Sequence, residues 1–282
     1  GQTADLAPAD KKLYALRDVT ATVDNMSLIA SSIMSKKLAA GSQCIVLDVK
    51  YGSGAFMKTA EDAQLLSEKM VAIGKGAGRR VAAVITDMDT PLGKNIGNSL
   101  EVIEAVEILK TGKDSDLTRV CLELATNIVM LARSISRDEA YSMVSTALSD
   151  GSAYKKFLEL VAGQGGNPDF IENTDNFAKA QYSYRIIAEN EGYVSFMDAE
   201  KIGSSSVILG AGRINKDDSI DYSAGIILHK KTGDKVEKGD VIAELFTNKE
   251  DKIDSAKALF LEAVTIGDSM PEGKPLIYKV IS

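Results

Sequence analysis

The chain has 282 residues, 45% of them apolar and 26% charged, which is enough for a substantial core and ordinary for a globular enzyme. Its 33 Lys and Arg stand against 40 Asp and Glu, for a formal charge of −7. That balance argues against a general nucleic-acid binder, which shows a basic stripe, but leaves room for a local basic pocket facing an anionic substrate.

The opening GQTADLAPADKK has no initiator Met and reads as the lead-in to a helix already under way in a larger protein. Pro8 suits the first turn of that helix, where a missing N–H costs nothing. A second helix, capped near Asp24 or Asn25, is expected through SLIASSIMSKKLAA to a stop at Gly41. The nearly unbroken apolar run SQCIVLDVK then has strand length and the texture of a strand covered on both faces. A helix after Thr59 and a second buried strand, RRVAAVITDM, complete a strand–helix–strand unit with a parallel crossover. Its loops, 51-YGSGAFMK-58 and 87-DMDTPLGKNIGN-98, are expected at the carboxyl edge of the sheet, where ligands bind in open α/β folds.

Helical patterns follow from Leu100 to about Gly165. Gly-rich punctuation with Pro168 leads into a region of short strands and turns. The predicted fold is α/β: a mostly parallel sheet flanked by helices, helices from a small α domain at the front, and a carboxyl-terminal α+β domain. The corresponding boundaries are residues 1–41, 42–175 and 176–282. The strand and turn pattern AGIILHKKTGDKVEKGDVIAELFTN is that of a barrel–sandwich module such as those carrying lipoyl or biotinyl groups. Lys235 and Lys238 stand too early for a carrier lysine, and Lys249 lacks the flanking residues, so this module reads as structural.

Cys44 and Cys121 are expected as buried, reduced thiols, and His229, the single histidine, as structural. No Cys/His spacing suits a metal, and no apolar run reaches the roughly 18 residues of a membrane span, so the chain reads as cytoplasmic with no membrane partner.

Ser32 and Lys36 are four apart and share a helix face, and Arg17 closes the preceding helix. Together they offer donors and one hydroxyl, which suits a ligand rich in carbonyl oxygens such as the edge of a pyrimidine. Solvated surface residues are the plainer alternative. Glu104, on the first turns of a helix after a Gly-containing loop, could join loop carbonyls around a hard cation or simply be a helix-start Glu favoured by the dipole.

The blocks R-D-V-T-A-T-V (17–23), S-S-I-M-S-K-K (31–37), D-V-K-x-G-S-G-A-F-M (48–57) and P-L-G-x-x-x-G-N (91–98) together strongly resemble the pyrimidine-nucleoside phosphorylase and thymidine phosphorylase family. The resemblance implies reversible phosphorolysis of uridine, thymidine or deoxyuridine, with inorganic phosphate as co-substrate, giving the free base and a (deoxy)ribose 1-phosphate. It implies base binding by Arg17, Ser32 and Lys36 with Tyr14 beside them, Arg17 and Lys36 acting in catalysis. It also implies a monovalent cation, K+, at Leu92, Asn95 and Glu104, the first two through backbone carbonyls, where Asn95 replaces a more usual Ala. A homodimer is implied for the full-length protein. The family's phosphate-site signature, S-G-R-G…T-G-G-T-x-D-x-L-E, and its active-site histidine have no counterpart here, so the chain alone is expected to be inactive. A nucleotide-level phosphorylase acting on AMP and a non-catalytic base-binding domain are the competing readings.

Overall fold

The computed structural model describes residues 6–19, 25–215 and 217–282, excepting the side chains of 17–19. In chain order its elements are α1 (Pro8–Val19), α2 (Met26–Ala39), β1 (Cys44–Tyr51), α3 (Ala60–Gly76), β2 (Arg80–Asp87), β3 (Asn95–Ile96), α4 (Asn98–Thr111), α5 (Asp116–Arg133), α6 (Arg137–Ser149), α7 (Ser152–Gly163) and α8 (Asp169–Glu172). There follow β4 (Tyr182–Ile187), β5 (Gly192–Met197), α9 (Ala199–Leu209), β6 (Gly225–Leu228), β7 (Lys235–Val236), β8 (Val241–Thr247), α10 (Ile253–Ala263), β9 (Val264–Gly267) and β10 (Ile277–Ile281). Two compact units interleave along the chain. One takes the described residues of Gly1–Asp87 with Val120–Val144 and Pro275–Ser282; the other takes Met88–Arg119 and Ser145–Lys274.

In the first unit the expected starts hold because polar side chains close the first turns. Asn25 accepts from the Leu28 amide at 3.1 Å, and Thr59 accepts from the Asp62 amide at 3.1 Å. Strands β1 and β2 pair in parallel from Cys44 opposite Arg80 to Tyr51 opposite Asp87. Every residue of β2 from Val81 to Thr86 is buried, as a strand covered on both faces requires. Ile45, Leu47, Val49 and Tyr51 share one face of β1 and pack with Val81, Ala83 and Ile85 against Met34 of α2 and Met70 of α3.

The last strand, β10, pairs antiparallel with β2. The sheet is therefore mixed, and residues 277–281 join the sheet of the first unit rather than the strands that precede them in sequence. Nothing in the five residues IYKVI announces so distant a partner.

In the second unit, β3, β6, β8 and β4 form one antiparallel sheet in that order, and β7, β5 and β9 form another. Phe260 of α10, Leu209 and Ile202 of α9, and Ile226, Leu228 and Leu245 of the sheet fill the core between them. The barrel–sandwich reading holds in this pair of small sheets. The loop 88–97, expected at the edge of the first sheet, belongs to this unit and supplies β3.

The cysteine expectation is corrected. Cys121 is exposed and Cys44 half-buried; both are free thiols, and Cys44 Sγ reaches the Leu131 carbonyl at 3.5 Å. An apolar sequence context around Cys121 did not place it on the buried side of α5. His229 is 45% exposed in its side chain, 3.9 Å from Glu244 Oε2, while its amide donates to the Ile242 carbonyl.

Candidate functional site

The chemistry-bearing residues at the front of the chain meet where α1 and α2 pack. Lys36 Nζ donates to Ser32 Oγ at 3.0 Å, the contact expected of an i, i+4 pair. The same ammonium donates to Asp10 Oδ2 at 3.0 Å and stands 5.9 Å from the centroid of the Tyr14 ring. Ser32 is buried, so its hydroxyl belongs to the wall of the fold rather than to a solvated helix face.

An ammonium has three N–H donors, and these contacts use two. The third remains for a ligand, as does the Ser32 hydroxyl hydrogen, since Ser32 Oγ accepts from Lys36. The pair can thus present two donors to adjacent carbonyl oxygens. Arg17 lies within α1, but its side chain is outside the described residues.

Asp10 was not anticipated. It precedes Tyr14 by four, so both fall on one stripe of α1, and that periodicity was the available signal. Its carboxylate fixes the Lys36 ammonium from the opposite helix.

The loop 51–58 closes on itself as a strand-to-helix turn. The Gly52 amide donates to the Met57 carbonyl at 3.0 Å, and Lys58 Nζ donates to the Ser53 carbonyl at 2.8 Å.

In the second unit the three residues expected around a cation do come together, but with other partners. Glu104 Oε1 and Oε2 accept from the Lys94 amide at 2.9 and 3.1 Å, and Oε2 accepts from the Asn95 amide at 3.0 Å. The Leu92 carbonyl accepts from Lys231 Nζ at 2.9 Å, and Asn95 Nδ2 donates to the Leu100 carbonyl at 2.8 Å. The carboxylate is therefore turned onto backbone N–H groups, and an ammonium already sits on the carbonyl. This donor set does not fit a resident cation. Lys231 and its second partner, Asp116, were not singled out in the sequence; they stand 139 and 115 residues from what they hold.

Two glycines of the P-L-G-x-x-x-G-N block have their reason in this geometry. A Cβ on Gly93 would lie 2.4 Å from Glu104 Oε2. A Cβ on Gly97, whose φ is +141°, would lie 2.5 Å from the Ala224 carbonyl oxygen.

Comparison with known proteins agrees with the blocks that carry this geometry. Residues 1–154 match the glycosyl transferase family, a/b domain, and residues 193–267 match the pyrimidine nucleoside phosphorylase C-terminal domain. The chain belongs to this glycosyl transferase family. Along its whole length it is 47% identical to the pyrimidine-nucleoside phosphorylases of Staphylococcus aureus strains USA300 and MSSA476, and 46% identical to that of strain RF122. It spans 65% of the length of these relatives.

Proposed function

We propose that the chain forms the base-binding side of a pyrimidine-nucleoside phosphorylase, a pentosyltransferase. The reaction is reversible: a pyrimidine nucleoside and inorganic phosphate give the free base and a (deoxy)ribose 1-phosphate. The observation that carries this reading is the Lys36 ammonium, held at 3.0 Å by both Ser32 and Asp10 with one donor left over.

Breaking the glycosidic bond leaves positive character on the sugar and negative charge on the base. A donor fixed at the base carbonyls stabilises the departing anion more than the neutral base, which is the differential binding that lowers a barrier. Ser32 orients the base by its hydroxyl, Tyr14 lines the approach, and Arg17 adds a planar pair of donors. Asp10 is a positioning residue: it holds Lys36 and touches no substrate. Potassium has no part in this reading, because Lys231 Nζ sits on the Leu92 carbonyl and Glu104 accepts from the Lys94 and Asn95 amides. A homodimer and a cytoplasmic location belong to the proposal on the resemblance alone; among the described residues no helix is long and apolar enough to cross a membrane.

The test is base release by the whole protein from uridine, thymidine and AMP, with and without phosphate. Phosphate-dependent release of uracil or thymine is expected. Phosphate-dependent release of adenine from AMP with none from uridine or thymidine would establish the nucleotide-level alternative, and no release from any of them the non-catalytic one.

A further inference from the structure

We infer that Lys231 is a built-in cation, an ammonium tethered to the turn after β6 that holds the Leu92–Asn95 loop in place of a free monovalent ion. Its Nζ donates to the Leu92 carbonyl and to Asp116 Oδ2, both at 2.9 Å, and its side chain is 15% exposed. The turn that presents it is pre-set: the Lys231 amide donates to Asp234 Oδ2 at 2.8 Å, and Gly233 takes a φ of +93°. Further ties join this turn and the end of β6 to the chain around the loop. Thr232 Oγ1 lies 2.7 Å from Thr90 Oγ1, and the Leu228 amide donates to the Lys94 carbonyl at 2.7 Å. The K-K-T-G-D segment, whose sequence resembles a carrier-module turn, thus works as a clamp on the P-L-G loop.

Electrostatics support the substitution of ammonium for ion. A cavity of about 230 Å³ beside the loop is lined by Glu104, Glu107, Asp114 and Asp116 against Lys94, Lys113 and Lys231. With the Arg119 guanidinium that pairs Asp114 and Asp116, these four carboxylates face four cations, and removal of Lys231 leaves one negative charge unbalanced. A site of oxygen ligands with that excess draws in a hard or ammonium-like cation from solution. A covalently attached ammonium loses no translational freedom on binding, so it excludes a free ion competing for the same carbonyl.

The test reads no activity, so its failure is separate from that of the phosphorolysis reading. Thermal unfolding and hydrogen exchange of residues 91–97 are measured on the full chain in chlorides of potassium, ammonium and tetramethylammonium at equal ionic strength. The unmodified chain is expected to show the same Tm and the same protection in all three. Lys231→Ala is expected to lose roughly 4 °C or more in tetramethylammonium, with faster exchange at 91–97, and to recover at least half of both losses in potassium or ammonium. Asp116→Asn, which keeps Lys231 on the Leu92 carbonyl, is expected to remain indifferent to the cation. Stabilisation of the unmodified chain by potassium over tetramethylammonium would overturn the inference. So would a Lys231→Ala defect of equal size in every salt. Should Lys231→Ala not fold, the unmodified chain and Asp116→Asn still decide, a cation preference in either overturning it and indifference in both upholding it.

Discussion

Lys36→Met is the perturbation that most directly tests the proposed chemistry. Met keeps the length of the side chain and removes its charge and all three donors. Two consequences follow, of different size and visible in different measurements. The first is stability. At about 3 Å and an effective dielectric near 20, the Lys36–Asp10 attraction is about 5 kcal/mol gross. The side chains are 25% and 10% exposed, so solvation and ordering costs reduce the net contribution to about 1–2 kcal/mol. The second is catalysis. Losing one fixed donor to a developing anion costs about 2.7–4 kcal/mol, or roughly 100- to 1,000-fold in kcat. Loss of stability changes how much protein is folded but not the kcat of the folded fraction, so the effects separate. Steady-state uridine phosphorolysis by the whole protein, followed by uracil release, should show kcat reduced by that factor with the KM for phosphate unchanged. The deficit should shrink with 5-fluorouridine, whose base is the more stable anion and needs less assistance. A Lys36→Met protein with kcat within about threefold of the unmodified one, or a deficit of equal size for both nucleosides, would refute the assignment.

Gly97→Ala forces a methyl group to 2.5 Å from the Ala224 oxygen at a φ of +141°, and about 3 kcal/mol of destabilisation is expected, a Tm lower by roughly 6–12 °C. Gly203→Ala, inside α9 with nothing within 4 Å of the new methyl, is its control and should raise Tm slightly through helix propensity. Glu123 tests the acid limb. Hydrogen bonds from Arg137, opposed by burial and aided by Asn127, hold its carboxyl below the ordinary glutamate range. A folded-state pKa below the unfolded one stabilises at neutral pH and loses that contribution as pH falls through the folded value. Below about pH 5, Tm of the unmodified protein should therefore fall more steeply than that of Glu123→Gln, measured by calorimetry across the acid range.

The features that could be read from the amino-acid sequence alone were local. Periodicity put Ser32 and Lys36 on one face, cap residues started α2 and α3 where Asn25 and Thr59 stand, and the apolar runs marked β1 and β2. These depend on contacts a few residues apart, which spacing encodes directly. The blocks of family resemblance were legible for the same reason, being contiguous. Partners far apart in the chain were decided by tertiary structure alone. The pairing of β10 with β2, the capture of the Leu92 carbonyl by Lys231, and the meeting of Asp10 with Lys36 each depend on packing that no local pattern carries. Glu104 shows the difference within one residue. Its place on the helix after the P-L-G loop could be read from the sequence, although it stands on the second turn of α4 rather than at its start. Whether its carboxylate would face a cation or backbone N–H groups depended on how loop 92–95 folds back over α4. That path is set by the close approach of Gly97 to Ala224, 127 residues further on in β6's lead-in, where only a missing side chain lets the two backbones meet.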